Sequence, residues 1–290
     1  KWANSSSDYR VFVEQELLPR LNPAYAALQE LSDADVFVRR RGAQALSRIA
    51  REATLPALLT ARLFDLMTIE QDQLVWRLVM SAVSEDDMPE AARLAELAVN
   101  HTWPDVRVLG CGYARRHPRP QYARWLLPLL SDKNRAVQLA AIEAAGACRN
   151  PLLIEGLPAR GENPAWPGLS ALMNGGDARL GFAVAAAMSD LGDERGMQEL
   201  IRLSFSESAE MRAEAARAMG RSGQARFIEP MIRQCWTESN AQVRRASLTA
   251  LEELVPQENH PPELGGATSD DAKIKAWSAW QQRRAPRPGR

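Results

Sequence analysis

The chain has 290 residues, 46% hydrophobic and 25% charged, the make-up of a folded globular protein rather than a disordered or collagenous one. Its 36 basic and 36 acidic residues cancel to a formal net charge of +0, whereas a duplex-binding protein carries a basic excess, so nucleic acid is not expected as a partner. No apolar run approaches the roughly 20 residues that cross a bilayer, and three cysteines without a CxxC frame provide neither a disulfide framework nor a zinc site.

The chain begins at Lys1 rather than Met, which reads as a processed form or a fragment with any signal or anchor upstream. Residues 8–31 read as one or two helices broken at Pro19 and Pro23, within a capping region over 1–32. From Asp33 onward one frame recurs: Ser or Thr, an acid, a few polar or small residues, then an apolar anchor. It is clearest in "SDADVFVRRRGAQAL", "SDKNRAVQLAAIEAA" and "TESNAQVRRASLTAL", where Asp33, Asp132 and Glu238 each stand five residues before Val38, Val137 and Val243. Weaker copies are anchored on Val106, Leu180 and Met211. Val106 and Val137 are 31 apart, as are Leu180 and Met211. The long gap after Val38 is filled by "QDQLVWRLVMSAVS" around Val75, and the long gap after Val137 holds a Gly/Pro-rich insert, 157–176.

Positions within the frame are consistent. Four and five past the anchors come Gly42/Ala43, Gly110/Cys111, Ala141/Ile142, Val184/Ala185, Ala215/Ala216 and Ser247/Leu248; eight past come Leu46, Ala114, Ala145, Met188, Met219 and Leu251. These offsets share one helical face, and small residues there let a second helix approach closely. A further helical pattern precedes each anchor helix, as in "LPALLTARLF", "PEAARLAELAVN", "PQYARWLLPLLS" and "ARFIEPMIRQCW". Pro89 and Pro120 suit first turns, while Pro128 and Pro230 are expected inside their helices as kinks. A helical hairpin this short cannot bury its own core, so the units must stack. The expected fold is all-α: six or seven helical pairs in an α-α superhelix with terminal capping helices. The array covers 33–255; a linker occupies 256–270, then a capping helix covers 271–284 with Ile274, Trp277 and Trp280 on one face, and a disordered tail covers 285–290. The alternative for the terminal helix is a docking peptide for another protein.

The repeated "D…VR…A…AL" frame resembles the HEAT-repeat family, in the short bacterial form shared with HEAT-like phycobilisome lyases, over roughly Asp33 to Leu254. The resemblance implies an α-solenoid with first helices on its convex side and second helices on its concave side, and no particular reaction. It further implies that the arginines just past the anchors, Arg39, Arg107, Arg212 and Arg244, pair between neighbouring units, with Asp33, Asp105, Asp132 and Glu238 available to them.

Reactive chemistry is not legible. His101, His117 and His260 have no partner at metal-ligand spacing, and no GxSxG, P-loop or dinucleotide fingerprint is present. Cys111, Cys148 and Cys235 read as packed thiols. The chain is therefore expected not to be an enzyme, with no catalytic residue, metal or cofactor. The candidate binding residues are Val108, Leu139 and Phe182, an apolar centre two past the anchors, flanked by Arg40 and Arg245 and joined by Glu143 and Arg217. The bland alternative is that the 157–176 insert, with Trp166, covers this centre. "RRHPRPQYAR" and the group Arg40, Arg41, Arg48 and Arg51 add basic clusters. The expected function is a non-catalytic scaffold binding a protein or peptide on its concave face. The alternatives are a HEAT-like lyase or isomerase acting on a bound chromophore, and a nucleic-acid binder. A cytoplasmic address is the default, with the cell envelope if an upstream signal or anchor was removed.

Overall fold

The computed structural model describes Tyr9 and residues 11–160, 165–173, 175 and 177–284. The expected disordered tail lies outside the described residues. The chain divides into two compact units, Lys1–Ala144 and Ala145–Arg290.

In the first unit the helices alternate between two layers. One layer holds α1 (Pro23–Leu31), α3 (Ala57–Met67), α5 (Pro89–Val99) and α7 (Ala123–Leu129); the other holds α2 (Val36–Glu52), α4 (Gln73–Ala82) and α6 (Pro104–Arg116). Each packs on the next of its own layer, and α1 and α5 pack on α2 and α6. The segment expected as a cap thus includes α1, which meets α2 as α5 meets α6. Polar side chains start the helices where the sequence offers them. Asn22, Asp35 and Asp72 accept from the N–H groups of Ala24, Phe37 and Val75, and Asn134 accepts from Ala136 and Val137 at the start of α8 (Arg135–Ala147).

In the second unit α9 (Ala178–Asp190), α11 (Ala209–Ser222) and α13 (Ala241–Leu254) form one layer; α10 (Glu194–Leu203), α12 (Ile228–Thr237) and α14 (Asp270–Arg284) lie against them. The insert is local structure. Gly156–Leu157 pairs antiparallel with Trp166–Pro167, and the 3-10 turn Leu169–Leu172 packs on α9. Apart from those two short strands and a single bridge residue, the regular structure of the described residues is helical.

The frame's offsets are the core. Ala43, Leu46, Cys111, Ala114, Ala141, Ile142, Val184, Met188, Ala216, Met219 and Leu251 are all inaccessible to solvent. The small residues set helix separation. A Cβ on Gly42 would stand 2.6 Å from Ala27 O on α1, and one on Gly110 would stand 2.8 Å from Val99 N on α5. The copy around Val75 is a full repeat, with Val75, Val79 and Val83 buried on α4 and just beyond it.

Two prolines, Pro230 and Pro19, behave differently from what their sequence context predicts. Pro230 is the third residue of α12, entered through the 3-10 turn Ala225–Phe227, so its missing N–H falls among the donors a first turn leaves unused. Pro128 lies inside the seven-residue α7, as expected, near its end. Pro19 does not break the chain's path: a π turn over Val13–Leu17 runs directly into Leu18–Leu21, while Pro23 does mark a break, at Asn22.

The C-terminal segment is tied down. Ile274, Trp277 and Trp280 of α14 are buried, Trp277 and Trp280 meet edge to face at 5.4 Å, and Trp280 donates to Asn259 O at 2.6 Å. The 256–270 stretch forms the 3-10 turns Gln257–Asn259 and Pro262–Gly266, held by His260 Nε2 donating to Val255 O.

Candidate functional site

The row of arginines is the first feature to place, because its role decides what charge is left for binding. Arg39, Arg107 and Arg212 share one geometry. Each directs Nη1 at the two carbonyls five and six residues before it: Ala34 and Asp33, Thr102 and His101, Glu207 and Ser206. Each also grips the carboxylate that opens the next repeat with Nε and Nη2: Glu70, Asp132 and Glu238. That carboxylate in turn accepts from the N–H two residues ahead of it, at Asp72, Asn134 and Asn240. One arginine therefore fixes its own turn and the next through a bidentate, charge-assisted pair. Arg212 holds the Glu238 carboxyl below the usual glutamate range. The expected partners Asp132 and Glu238 are used. Asp33 instead caps its own turn through Asp35 N–H. Arg39 takes Glu70, which was not among the expected partners although it stands five residues before Val75, the place the frame gives its acid.

That copy carries a different rung. Trp76 stands where the arginine stands elsewhere and donates from Nε1 to Glu70 O, six residues back, at 3.2 Å. Its ring meets His101 at 4.8 Å. His101 occupies the carboxylate's place and accepts at Nδ1 from Trp103 N–H. Burial and the nearby Arg107 push its pKa down. Its role in the fold is thus a packed, hydrogen-bonded imidazole.

The predicted binding residues fall into separate situations. Arg40 is engaged with Asp72, the N-cap of α4, at 2.7 Å. Val108 and Leu139 are half-buried in the first unit, and Phe182 is half-buried against the core of the second. Glu143 pairs with Arg115 at 2.6 Å. Arg217 and Arg245 come together, lining one pocket of about 550 Å³ between α11 and α13 with Gln242, Thr249 and Glu253. In the first unit the corresponding layer has a pocket of about 420 Å³ between α2 and α4, lined by Arg41, Gln44, Ala45, Ser47, Arg48, Arg51 and Leu78. Arg41, Arg48 and Arg51 belong to the basic group already noted in the sequence, whereas Gln44 and Leu78 were not among the expected site residues. The outward face of these helices runs at three, six and ten past the anchor, a register that burial reveals and spacing alone leaves open.

The other basic cluster is engaged within the fold. Arg119 binds Asp87, Arg116 pairs with Glu85, and Tyr122 stacks on Trp125 at 4.1 Å. The three cysteines are buried, and burial pushes the Cys235 thiol up to about 12, which leaves it protonated and unreactive at neutral pH. No group of His, Cys, Asp and Glu fit to hold a metal occurs among the described residues. No helix of the described residues is long and apolar enough to cross a membrane.

The family model of HEAT repeats matches residues 167–252. Among solved structures, the chain is similar to one from the complex of CpcE and CpcF of phycocyanin lyase from Nostoc sp. PCC7120, at 14% identity and a TM-score of 0.51, over 80% of this chain and 94% of that one. Human deoxyhypusine hydroxylase in complex with glycerol matches at 15% identity and a TM-score of 0.35, over 90% and 95%. A designed armadillo repeat protein matches at 14% and 0.36, over 79% and 99%. No curated protein matches the sequence. The expectation that the chain is not an enzyme is corrected by the lyase complex: a fold of this kind serves an enzyme there, so the lack of a legible reactive constellation does not exclude activity. The repeat model matches less than a third of the chain, and together with the phased repeats and their shared packing positions it supports a HEAT-repeat family.

Proposed function

We propose that this HEAT-repeat chain is a protein-interaction platform that takes a partner segment on the face of its second helices. The observation that carries the reading is where the open recognition groups lie. The rungs occupy Arg39, Arg107 and Arg212, whereas Gln44, Arg48, Arg51 and Leu78 in one unit, and Arg217, Gln242 and Thr249 in the other, line a pocket on the second-helix layer of each unit, where Arg245 is paired with Asp270. Repeat arrays place their variable, outward-facing positions on such a layer. The test is site-specific photocrosslinking in native lysate. A benzophenone side chain at Ser81 or Thr249, both exposed on second helices, is compared with one at Glu96 or Arg233, both exposed on first helices. A discrete protein adduct from the second-helix sites alone supports the reading; adducts only from the first-helix sites, or none, sink it.

A second reading is favoured by the likeness to the phycocyanin lyase complex: action on a bound chromophore. It expects a red-shifted, intensified absorbance band when the purified chain is mixed with a bilin. An unchanged spectrum counts against it.

A further inference from the structure

We infer that the pocket between α2 and α4 binds an extended acidic protein segment; this rests on the platform reading and names the chemistry of the partner. Arg41, Gln44, Arg48 and Arg51 succeed one another along one face of α2 and line the pocket together with Leu78 of α4. Among the described residues, no carboxylate lines it. Arg41 already has Glu30 at 3.0 Å, but Arg48 and Arg51 have no carboxylate partner among the described residues and stand exposed. Arg39 and Arg40, on the same helix, are engaged with Glu70 and Asp72. The other arginines of α2 thus each meet a carboxylate, and two left open side by side in a concavity mark a missing acidic partner.

The geometry sets its form. Arg41 to Arg51 spans ten residues of helix, about 15 Å at 1.5 Å per residue, which matches four or five residues of extended chain at about 3.4 Å each. Guanidinium forks favour carboxylates in bidentate pairs, and the Gln44 amide can donate to a peptide carbonyl. Leu78 offers one apolar seat beside the row. Nucleic acid fits less well. Among the described residues no aromatic ring lines the pocket to stack a base, and the two aromatic rings beside the other basic cluster, Tyr122 and Trp125, are stacked on each other.

The experiment is fluorescence anisotropy with fluorescein-labelled Gly-Glu-Asp-Glu-Asp-Leu amide against the full chain, at 50 and 300 mM NaCl. It is repeated with Arg48→Gln/Arg51→Gln and with Arg233→Gln, an exposed first-helix position, as the control. All are checked by thermal circular dichroism. We expect micromolar binding, a loss of about tenfold or more in the Arg48/Arg51 variant, a several-fold loss at the higher salt, and no change in the control. A lack of binding by the wild type, or equal binding by the Arg48/Arg51 variant, overturns the inference. So does a labelled oligothymidine of about twenty nucleotides that binds more tightly than the peptide and is lost in the same variant. If the peptide fails while the Ser81 and Thr249 crosslinks persist, the acidic-segment inference falls and the platform reading stands. If both fail, both fall.

Discussion

Arg107 holds the two carboxylate oxygens of Asp132 with Nε and Nη2 at 2.9 and 3.0 Å, across the junction between one repeat and the next. Both side chains are largely buried, at 16% and 9% exposure, so the pair is neither screened nor free to fray as a surface pair is. Arg107→Met should cost about 2–3 kcal/mol, because it leaves a desolvated carboxylate and two backbone carbonyls without their donor. Arg115→Met, which breaks the exposed pair with Glu143, should cost under about 0.5 kcal/mol. Urea unfolding of the two variants side by side checks both figures; equal losses would show that the rung does not lock the repeats.

Two glycines on α6 have opposite expected effects. A Cβ on Gly110 would run into Val99 on α5, while one on Gly112 would meet nothing within 4 Å. Gly110→Ala should therefore destabilise by roughly 1–3 kcal/mol through forced separation of α5 and α6. Gly112→Ala should stabilise by up to about 1 kcal/mol, since alanine is the better helix former. Thermal melts of both variants decide it.

The Trp76–His101 rung should make the first unit acid-sensitive in a way the arginine rungs are not. His101 accepts at Nδ1 from Trp103 N–H, and burial together with Arg107 disfavours its protonation, with Asp105 opposing. Because the folded pKa lies below the ordinary histidine value of 6.5, the unfolded chain binds the extra proton first. Stability is then full above that value and falls as pH drops below it. The urea midpoint of the wild type should decline as pH is lowered from neutral through 6.5, and His101→Gln should show a shallower decline over that window whatever its absolute stability.

Glu238 should act in a lower window. Arg212 holds its carboxyl below the ordinary glutamate value of 4.5, so its contribution is full above that value and is lost as pH falls through the depressed pKa. Glu238→Gln should be less stable than wild type at neutral pH, with the gap narrowing as pH falls below 4.5. A gap that stays constant with pH would mean the carboxylate charge is not what Arg212 senses.

The fully buried Trp277 fastens α14 to α12 and α13. Trp277→Ala should cost about 3–5 kcal/mol and release α14, read as fast amide exchange over 270–284 ahead of the rest of the second unit. Uniform exchange across that unit would instead make α14 part of a single cooperative core.

Periodicity alone determined that this chain is a stack of helical hairpins: apolar anchors about 31 residues apart, with small residues four and five past each, can only be buried by neighbours of the same kind. The resemblance to HEAT repeats, and not periodicity, implied the arginines and the acids at Asp132 and Glu238 as inter-repeat partners, which the structure pairs. The sequence did not determine which residues remain for recognition. Arg40 and Arg48 are equally arginine and lie on the same helix, yet one is tied to the Asp72 cap and the other opens into a pocket. Glu70 fills the frame's acid position before Val75, whereas His101 takes the corresponding place before Val106, where the frame has no acid to mark it. The outward face is separated from the packed one by about one residue of register, a rotation of about 100° on a helix. Only the packing of each second helix against its neighbours fixes that rotation, which is why the tertiary structure, and not the repeat pattern, decided where a partner can be met.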